Sequence, residues 1–452
     1  MKIPVHRMTA LALVAALGIA ATPVRKIQFS DTRLKNGMRL IVSEDHTAPT
    51  VSVAVNYYVG SADERKGRTG FAHLFEHMMF KGSENVGPNE HPYLMFMNGG
   101  SMNGTTNKDR TMYYEILPAN QLDLALFLEA DRMASLAVTK DNLENQRNAV
   151  QEERRLRLDN QPYGIMSEKF GETIYDNFAY KHSVIGSMED LSAASVEDVR
   201  EFFRVYYAPN NAVLALVGDF KTNQALARVK TYFESIPSQP APSRVDVAEP
   251  EQTSERRFTT DDQLARLPLL NIGYKGYVGG GADAYALQVL GTVLGGGQSS
   301  RLYQKLVRDS QLALSANSFA SVRRGPGAFR ISATVAPGKK YEDVEAIIYE
   351  EIARLQKEPI ADWELEKAKQ AARRGAVGSR QSSLGLAINI TEGVVAWNDP
   401  NYANTRLEKI MAVTKEDVQR VAREYLQPSR RTVGVAIPKG TSMAAPPPAA
   451  NQ

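Results

Sequence analysis

Two kinds of hydrophobic period alternate along the chain. Residues 39–43 and 50–59 are β-branched and alternating, which predicts two strands. Phe71, Leu74, Phe75 and Met78 then fall at i, i+3, i+4 and i+7, the apolar stripe of a helix over about 69–80. A loop with Gly82, Gly87, Pro88 and Pro92 comes next. Residues 111–117 read as a strand, 122–134 as a helix, 140–158 as a long helix, 196–206 as a helix and 212–218 as a final strand. The later part keeps the same order, with strands near 269–274 and 328–335 and helices over 341–356 and 364–376. Strands and helices mix without strict βαβ alternation, so the expected class is α+β, a mainly antiparallel sheet packed with helices in each half.

The order repeats because the sequence does. Glu197-Asp198-Val199, Tyr206 and Pro209 recur as Glu416-Asp417-Val418, Tyr425 and Pro428, and Tyr58-Val59-Gly60 recurs as Tyr277-Val278-Gly279, each pair 219 residues apart. Short matches at one offset point to duplication of a unit of roughly 200 residues. The Pro-, Ala- and Glu-rich stretch around Pro237, Pro240, Pro242 and Pro250 has no hydrophobic period and reads as a linker. The expected organisation is a first domain at 27–237, a linker at 238–253, a homologous domain at 254–437 and a disordered tail at 438–452.

Composition narrows the function classes. A hydrophobic content of 43% and a charged content of 23% are ordinary for a globular protein. The balance of 54 basic and 51 acidic residues leaves no footprint for nucleic acid. The basic cluster Arg154, Arg155 and Arg157 comes after two glutamates and reads as helix surface. There are no cysteines, so any metal must be held by histidine and carboxylates. At the N-terminus, Lys2, His6 and Arg7 precede an apolar run from Thr9 to Ala20 that is too short to span a bilayer. Small residues at 18–20 complete an export signal over 1–22, which places the mature chain outside the cytoplasm with no stable membrane span; an uncleaved anchor is the other reading of the same run.

Two of the six histidines stand together in the helix at 69–80. His73 and His77 are four apart, one turn above each other, and Glu76 lies beside them opposite the apolar stripe. Two imidazoles so placed can grip one metal ion, with a carboxylate ready to take a proton from an attacking water. The solvated face of an ordinary helix looks the same, so a third ligand must decide. In the long helix, Gln146, Ala149, Val150, Glu153 and Leu156 share one stripe, while Asn145, Asn148, Glu152, Arg155 and Asp159 share the polar one. Glu153 therefore points inward, where a lone carboxylate is costly and needs either a metal or a buried arginine. Setting Phe71–Gly82 against Tyr285–Gly296 puts Leu287, Leu290 and Gly291 opposite His73, Glu76 and His77. The second half cannot hold the metal, and one site per chain is expected.

His73-x-x-Glu76-His77 with Glu153 placed 76 residues beyond the second histidine resembles the inverted zinc peptidases, the family of pitrilysin, insulin-degrading enzyme and mitochondrial processing peptidase. The resemblance runs from about Phe29 to Ala436 and includes the wording of 70–78, Phe80-Lys81-Gly82 and Arg147-Asn148-Ala149-Val150. It implies a duplicated α+β unit, active half first, forming half of a clamshell. It implies His73, His77 and Glu153 as ligands of one zinc ion per chain and Glu76 as general base. Segment 99–106 resembles the family's active-site edge strand, to which a peptide substrate adds as a further strand, with Asn103, Gly104 and Thr105 as its contacts. A plain Gly/Asn turn would carry the same residues.

Two departures qualify the resemblance. Gln146 stands where many relatives have a glutamate beside the ligands, so it can hydrogen-bond a ligand but adds no charge. In the second half, Gly295 to Leu302 matches the family's Gly-rich segment, but Leu312-Ala313 is followed by Leu314 where single-chain relatives carry a tyrosine; Arg308 can supply the accompanying arginine. The resemblance thus implies a zinc endopeptidase of peptides or unfolded segments in the bacterial periplasm. It would act as the catalytic subunit of a heterodimer whose homologous partner brings the Arg/Tyr pair, with a homodimer as the alternative. The rival role is a non-catalytic, peptide-binding or scaffold subunit of the same fold.

Overall fold

The computed structural model describes residue 24 and residues 26–439. The export signal expected at 1–22 and the tail beyond Lys439 lie outside the described residues. Among those described, no helix is long and apolar enough to cross a membrane.

The first half runs β1 (Ser30–Arg33), β2 (Arg39–Glu44), β3 (Thr50–Tyr57), α1 (Phe71–Met78), α2 (Glu90–Met97), β4 (Ser101–Thr106), β5 (Thr111–Pro118), α3 (Leu122–Ser135), α4 (Lys140–Arg154), α5 (Gly164–Ile174), α6 (Phe178–Lys181), α7 (Met188–Ser192), α8 (Val196–Tyr206), β6 (Ala212–Gly218) and α9 (Thr222–Phe233). Its strands form one sheet in the order β1-β2-β6-β3-β5-β4, antiparallel except for β2 beside β6. The second half runs β7 (Arg256–Asp262), β8 (Leu269–Val278), α10 (Ala282–Gly295), β9 (Ala313–Ala320), β10 (Pro326–Val335), α11 (Tyr341–Lys357), α12 (Asp362–Gly378), α13 (Ser383–Trp397), α14 (Tyr402–Ala412), α15 (Lys415–Tyr425) and β11 (Arg431–Pro438). Its sheet order is β7-β11-β8-β10-β9, again with one parallel pair, β7 beside β11. Strand for strand this repeats the first sheet without β1, so the duplication seen in the residues is present in the topology.

Each half covers one face of its sheet with its own helices and lends one helix to the other half. On the first sheet, Ile41, Ala54, Val213, Ala215 and Val217 turn away from the main core and are buried by Leu386, Ala387, Ile390 and Val394 of α13. On the second sheet, Phe170 and Ile174 of α5 pack with Ala328 and Phe258. A Cβ at Gly273 would stand 2.6 Å from Ile174 Cδ1 and 2.8 Å from Phe170 Cζ, so α5 reaches the sheet only over a glycine. Between the halves the chain has no regular helix or strand from 238 to 255 and is strapped down. Asn177 Nδ2 donates to Asp246 O at 2.9 Å and Ala248 O at 3.0 Å, and Lys275 Nζ reaches Glu249 Oε2 at 2.7 Å.

Three details depart from the sequence reading. Helix α2 occupies part of the expected loop, because Pro92 falls in its first turn, where no intrahelical N–H is lost. The helix expected over 140–158 is α-helical only to Arg154 and continues as a π turn, Arg155–Asp159. The wider turn rotates the residues beyond Arg154, so Leu156, expected on the inward stripe, is 57% exposed. Within the regular helix, Gln146 and Val150 of that stripe are buried as expected and Ala149 is exposed.

Candidate metal centre and active site

Helix α1 starts where the backbone is forced to turn. Gly70 lies at φ 85°, in the left-handed region. The buried Glu64 carboxylate accepts the Gly70 N–H at 2.9 Å and the Ala72 N–H at 2.7 Å, capping donors that no residue of the helix can satisfy. His182 approaches the same carboxylate at 3.0 Å. Phe71, Leu74, Phe75 and Met78 are buried, with the Phe75 ring 4.1 Å from that of Tyr207. The opposite face presents His73, Glu76 and His77 to α4.

Glu153 of α4 meets the two imidazoles. Its Oε2 lies 3.2 Å from His77 Nε2 and 3.6 Å from His73 Nε2. Its Oε1 takes Arg157 Nη1 at 2.8 Å, one turn further on, which leaves Oε2 facing the rings. The three donor atoms lie within 4.8 Å of one another, and they are the one such trio of His, Cys, Asp or Glu among the described residues. Burial, with the neighbouring His77 and Arg157, holds His73 down to about 3, and burial lowers His77 as well. Both rings are therefore neutral at pH 7, and their contacts with Glu153 are not ion pairs but lone pairs and a carboxylate turned toward one point.

That donor set fits a divalent ion such as zinc. Bonds of about 2.1 Å in a tetrahedral array separate neighbouring donors by about 3.4 Å, and the observed 3.2 and 3.6 Å bracket this. Gln146 is buried within hydrogen-bonding range of His77. His73 Nδ1 is buried without a hydrogen-bond partner, so that ring lacks the outer acceptor that usually orients a ligating histidine.

Glu76 lies between the trio and β4. Burial pushes its carboxyl up to about 7, opposed by the Thr106 hydroxyl, which donates to Oε2 at 2.5 Å. A Cβ at Gly104 would stand 2.8 Å from Glu76 Cγ and 3.0 Å from Oε1, so the close approach of strand to carboxylate requires glycine. Strand β4 is the outermost of its sheet. Asn107 N–H donates to Arg110 O at 2.9 Å and closes the β4–β5 hairpin; alternation from that pair turns the backbone groups of Met102, Gly104 and Thr106 to the open edge. The Gly104 N–H is taken by Asn103 Oδ1 at 2.8 Å. Thr105 is different: Arg110 Nη1 donates to its hydroxyl at 3.0 Å and its carbonyl at 2.6 Å while Nε holds Glu392 of α13 at 2.8 Å. Of the three expected substrate contacts, Gly104 turns its backbone to the free edge beside Glu76, Asn103 is exposed and takes that Gly104 N–H, and the Thr105 side chain is held on the other face.

Thr106, Arg157, Arg110 and Glu64 were not singled out for the site by the sequence. Thr106 shares a strand face with Gly104, and Arg157 stands one turn from Glu153, so both spacings carried a signal. Glu64 and Arg110 act through tertiary contacts that no local spacing encodes. In the second half, Leu314 of edge strand β9 is 55% exposed, and Arg308 Nη1 donates to Gln304 Oε1 at 3.1 Å.

The chain is similar to known proteins along most of its length. Residues 39–187 match the family described as insulinase, peptidase family M16, and residues 193–372 match the peptidase M16 inactive domain. The zinc protease PqqE of Helicobacter pylori is 30% identical over 402 residues, covering 88% of this chain and 90% of that protein. The probable mitochondrial-processing peptidase subunit beta of Arabidopsis thaliana is 24% identical over 409 residues, 87% of this chain and 76% of that one. Among solved structures, a protease from Helicobacter pylori superposes with a TM-score of 0.87 at 29% identity, over 91% of this chain and 100% of that one. The periplasmic protease PqqL from Escherichia coli shares the fold, with a TM-score of 0.75 at 15% identity over 92% of this chain and 48% of that one. This chain belongs to peptidase family M16, the pitrilysin and insulinase family of zinc proteases.

Proposed function

We propose that the chain is a zinc-dependent endopeptidase of peptides or unfolded segments, and the catalytic subunit of a two-chain complex in the bacterial periplasm. The observation that carries this reading is the convergence of His73, His77 and Glu153 beside Glu76 and an open strand edge. One zinc ion held by the trio would supply a Lewis acid that polarises the scissile carbonyl and acidifies the attacking water. A substrate strand pairs with the outward backbone groups of Gly104 and Met102, which fixes its carbonyl near Glu76. Glu76 takes the proton of the water and returns it to the leaving amine. Its burial suits this, since a carboxyl held near 7 both accepts and returns a proton at neutral pH. Thr106 holds the carboxylate in place, and Gln146 steadies His77.

The two-chain reading rests on the second half. Leu314 offers no phenol to an oxyanion. A homologous partner supplying an arginine and a tyrosine would complete the site; a second copy of this chain would bring Leu314 again. A non-catalytic role fits less well, because His73, Glu76, His77 and Glu153 are all retained. The test is cleavage of an unstructured peptide by the wild type and by Glu76→Gln, each alone and with the chain that co-purifies from the native host. The expected result is a loss on the order of 10²–10⁴-fold or more in Glu76→Gln, with wild-type activity requiring the partner. Undiminished cleavage by Glu76→Gln overturns the catalytic reading, and full activity of the isolated wild-type chain overturns the two-chain one.

A further inference from the structure

At the junction of the two halves, away from the metal trio, three cationic side chains from separate elements crowd together. Lys108 comes from the tip of the β4–β5 hairpin, Arg323 from the β9–β10 connection and Arg330 from β10. The Arg323 guanidinium stands 5.2 Å from the ring centroids of both Tyr175 and Tyr180, and Arg330 stands 5.2 Å from that of Phe170. Burial, then Arg323 and Arg330 beside it, push the Lys108 ammonium down to about 8.

The acids around this cluster are engaged elsewhere. Glu64 caps α1 and meets His182. Asp109 accepts the Tyr180 hydroxyl at 2.8 Å and the Arg324 backbone N–H at 3.0 Å. Asp176 is held by Lys275 at 2.5 Å and Arg256 at 2.8 Å, and Glu249 by Lys275. Lys108 itself donates to a neutral carbonyl, His182 O. Meanwhile Arg323 Nη1, Arg330 Nε and the Tyr175 hydroxyl are buried with no acceptor in the protein, and Tyr175 is only 1% exposed. Glu64 and Asp109 offset part of the Lys108 charge, but the buried donors of Arg323 and Arg330 have no acceptor, and idle donors on cations call for a negative charge.

We infer that Lys108, Arg323, Arg330 and the Tyr175 hydroxyl form a buried site for one compact anion, chloride or a phosphate-sized oxyanion, that ties the β4–β5 hairpin to the second half. The site shares no residue with the metal trio, so it stands or falls independently of the peptidase reading. It also places an anion at the tip of the hairpin, two residues from Thr106, which donates to Glu76.

The test is the thermal midpoint of the full chain, titrated with sodium chloride or with inorganic phosphate at constant ionic strength, the balance made up with gluconate. The expected result is a saturable rise for at least one anion, about 3 °C at a hundredfold excess over its Kd. Saturation by chloride alone marks a monatomic site, and saturation by phosphate an oxyanion site; both support the inference. Arg330→Met should lower the affinity at least tenfold. Tyr175→Phe, which removes one oxygen and leaves the packing intact, should weaken it several-fold and keeps the test decisive should Arg330→Met fail to fold. No saturable rise with either anion, or the same affinity in Tyr175→Phe as in the wild type, overturns the inference.

Discussion

The chemistry of the site turns on single contacts, and two of them make sharp predictions. The Thr106 hydroxyl is the neutral group that orients Glu76. Replacing it with valine keeps the shape and removes a hydrogen bond to a carboxylate, worth about 1.5–3 kcal/mol. Thr106→Val should lower kcat roughly 10–100-fold with little change in KM or zinc content, and Thr106→Ser should restore most of it; an unchanged kcat in steady-state assays contradicts the role. A second pair of carboxyls sits deeper, under β5. Burial pushes Glu115 and Glu129 up to about 7, against the pull of Arg132. His91 Nε2 lies 2.6 Å from Glu115, its ring held down to about 3 by burial. A carboxyl raised in the fold binds its proton more tightly there than in the unfolded chain, so its contribution is full below about pH 4.5 and is lost as pH rises to about 7. Glu115→Gln should flatten the fall in stability between pH 5 and pH 7, by on the order of 2 kcal/mol, as read from urea midpoints at both pH values. Parallel profiles of the two proteins would contradict it. The convergence of His73, His77 and Glu153 was readable because histidines are scarce and Glu153 sits inward on a periodic helix; Thr106 was not singled out, because a threonine in a strand has many ordinary uses.

Among the elements, those with a strong period are where the residues put them. Helices α1, α4, α8, α11 and α12 and strands β3, β6 and β8 arise from stripes and alternation. Strands β1, β7 and β9 escaped because they lie at sheet edges or read as polar runs: β7 is Arg-Arg-Phe-Thr-Thr-Asp-Asp, and its place comes from parallel pairing with β11. The π turn after α4 is likewise invisible to a helical count, and it moved Leu156 to the surface. The exchange of α5 and α13 between sheets was also illegible, since periodicity says that a helix has an apolar face but not which sheet receives it. The exchange has a consequence. A fragment ending near 237 lacks α13 and exposes Ile41, Ala54, Val213, Ala215 and Val217. Fragments 24–237 and 238–452 should each fail to melt cooperatively alone in circular dichroism and should regain a cooperative transition when co-expressed. A sharp transition in the isolated first fragment would contradict this account of the fold.

Across the whole molecule the two halves repeat one cradle, and among the described residues only the first brings together a trio of metal-ligand side chains. In the first, α1 offers His73, Glu76 and His77 to α4 and to edge strand β4. In the second, α10 offers Leu287, Leu290 and Gly291, and it lies close on edge strand β9: a Cβ at Gly291 would stand 3.1 Å from the Phe319 Cα. The space that the ligands would need is filled by packing. Zinc stoichiometry measures this asymmetry. Metal-depleted wild type, Glu76→Gln, His77→Ala and Glu153→Ala are each titrated with zinc by calorimetry. The wild type and Glu76→Gln should each bind one zinc per chain, with affinity reduced at least 100-fold in His77→Ala and Glu153→Ala. Failure of the wild type to bind stoichiometric zinc, or undiminished binding in His77→Ala, would contradict it.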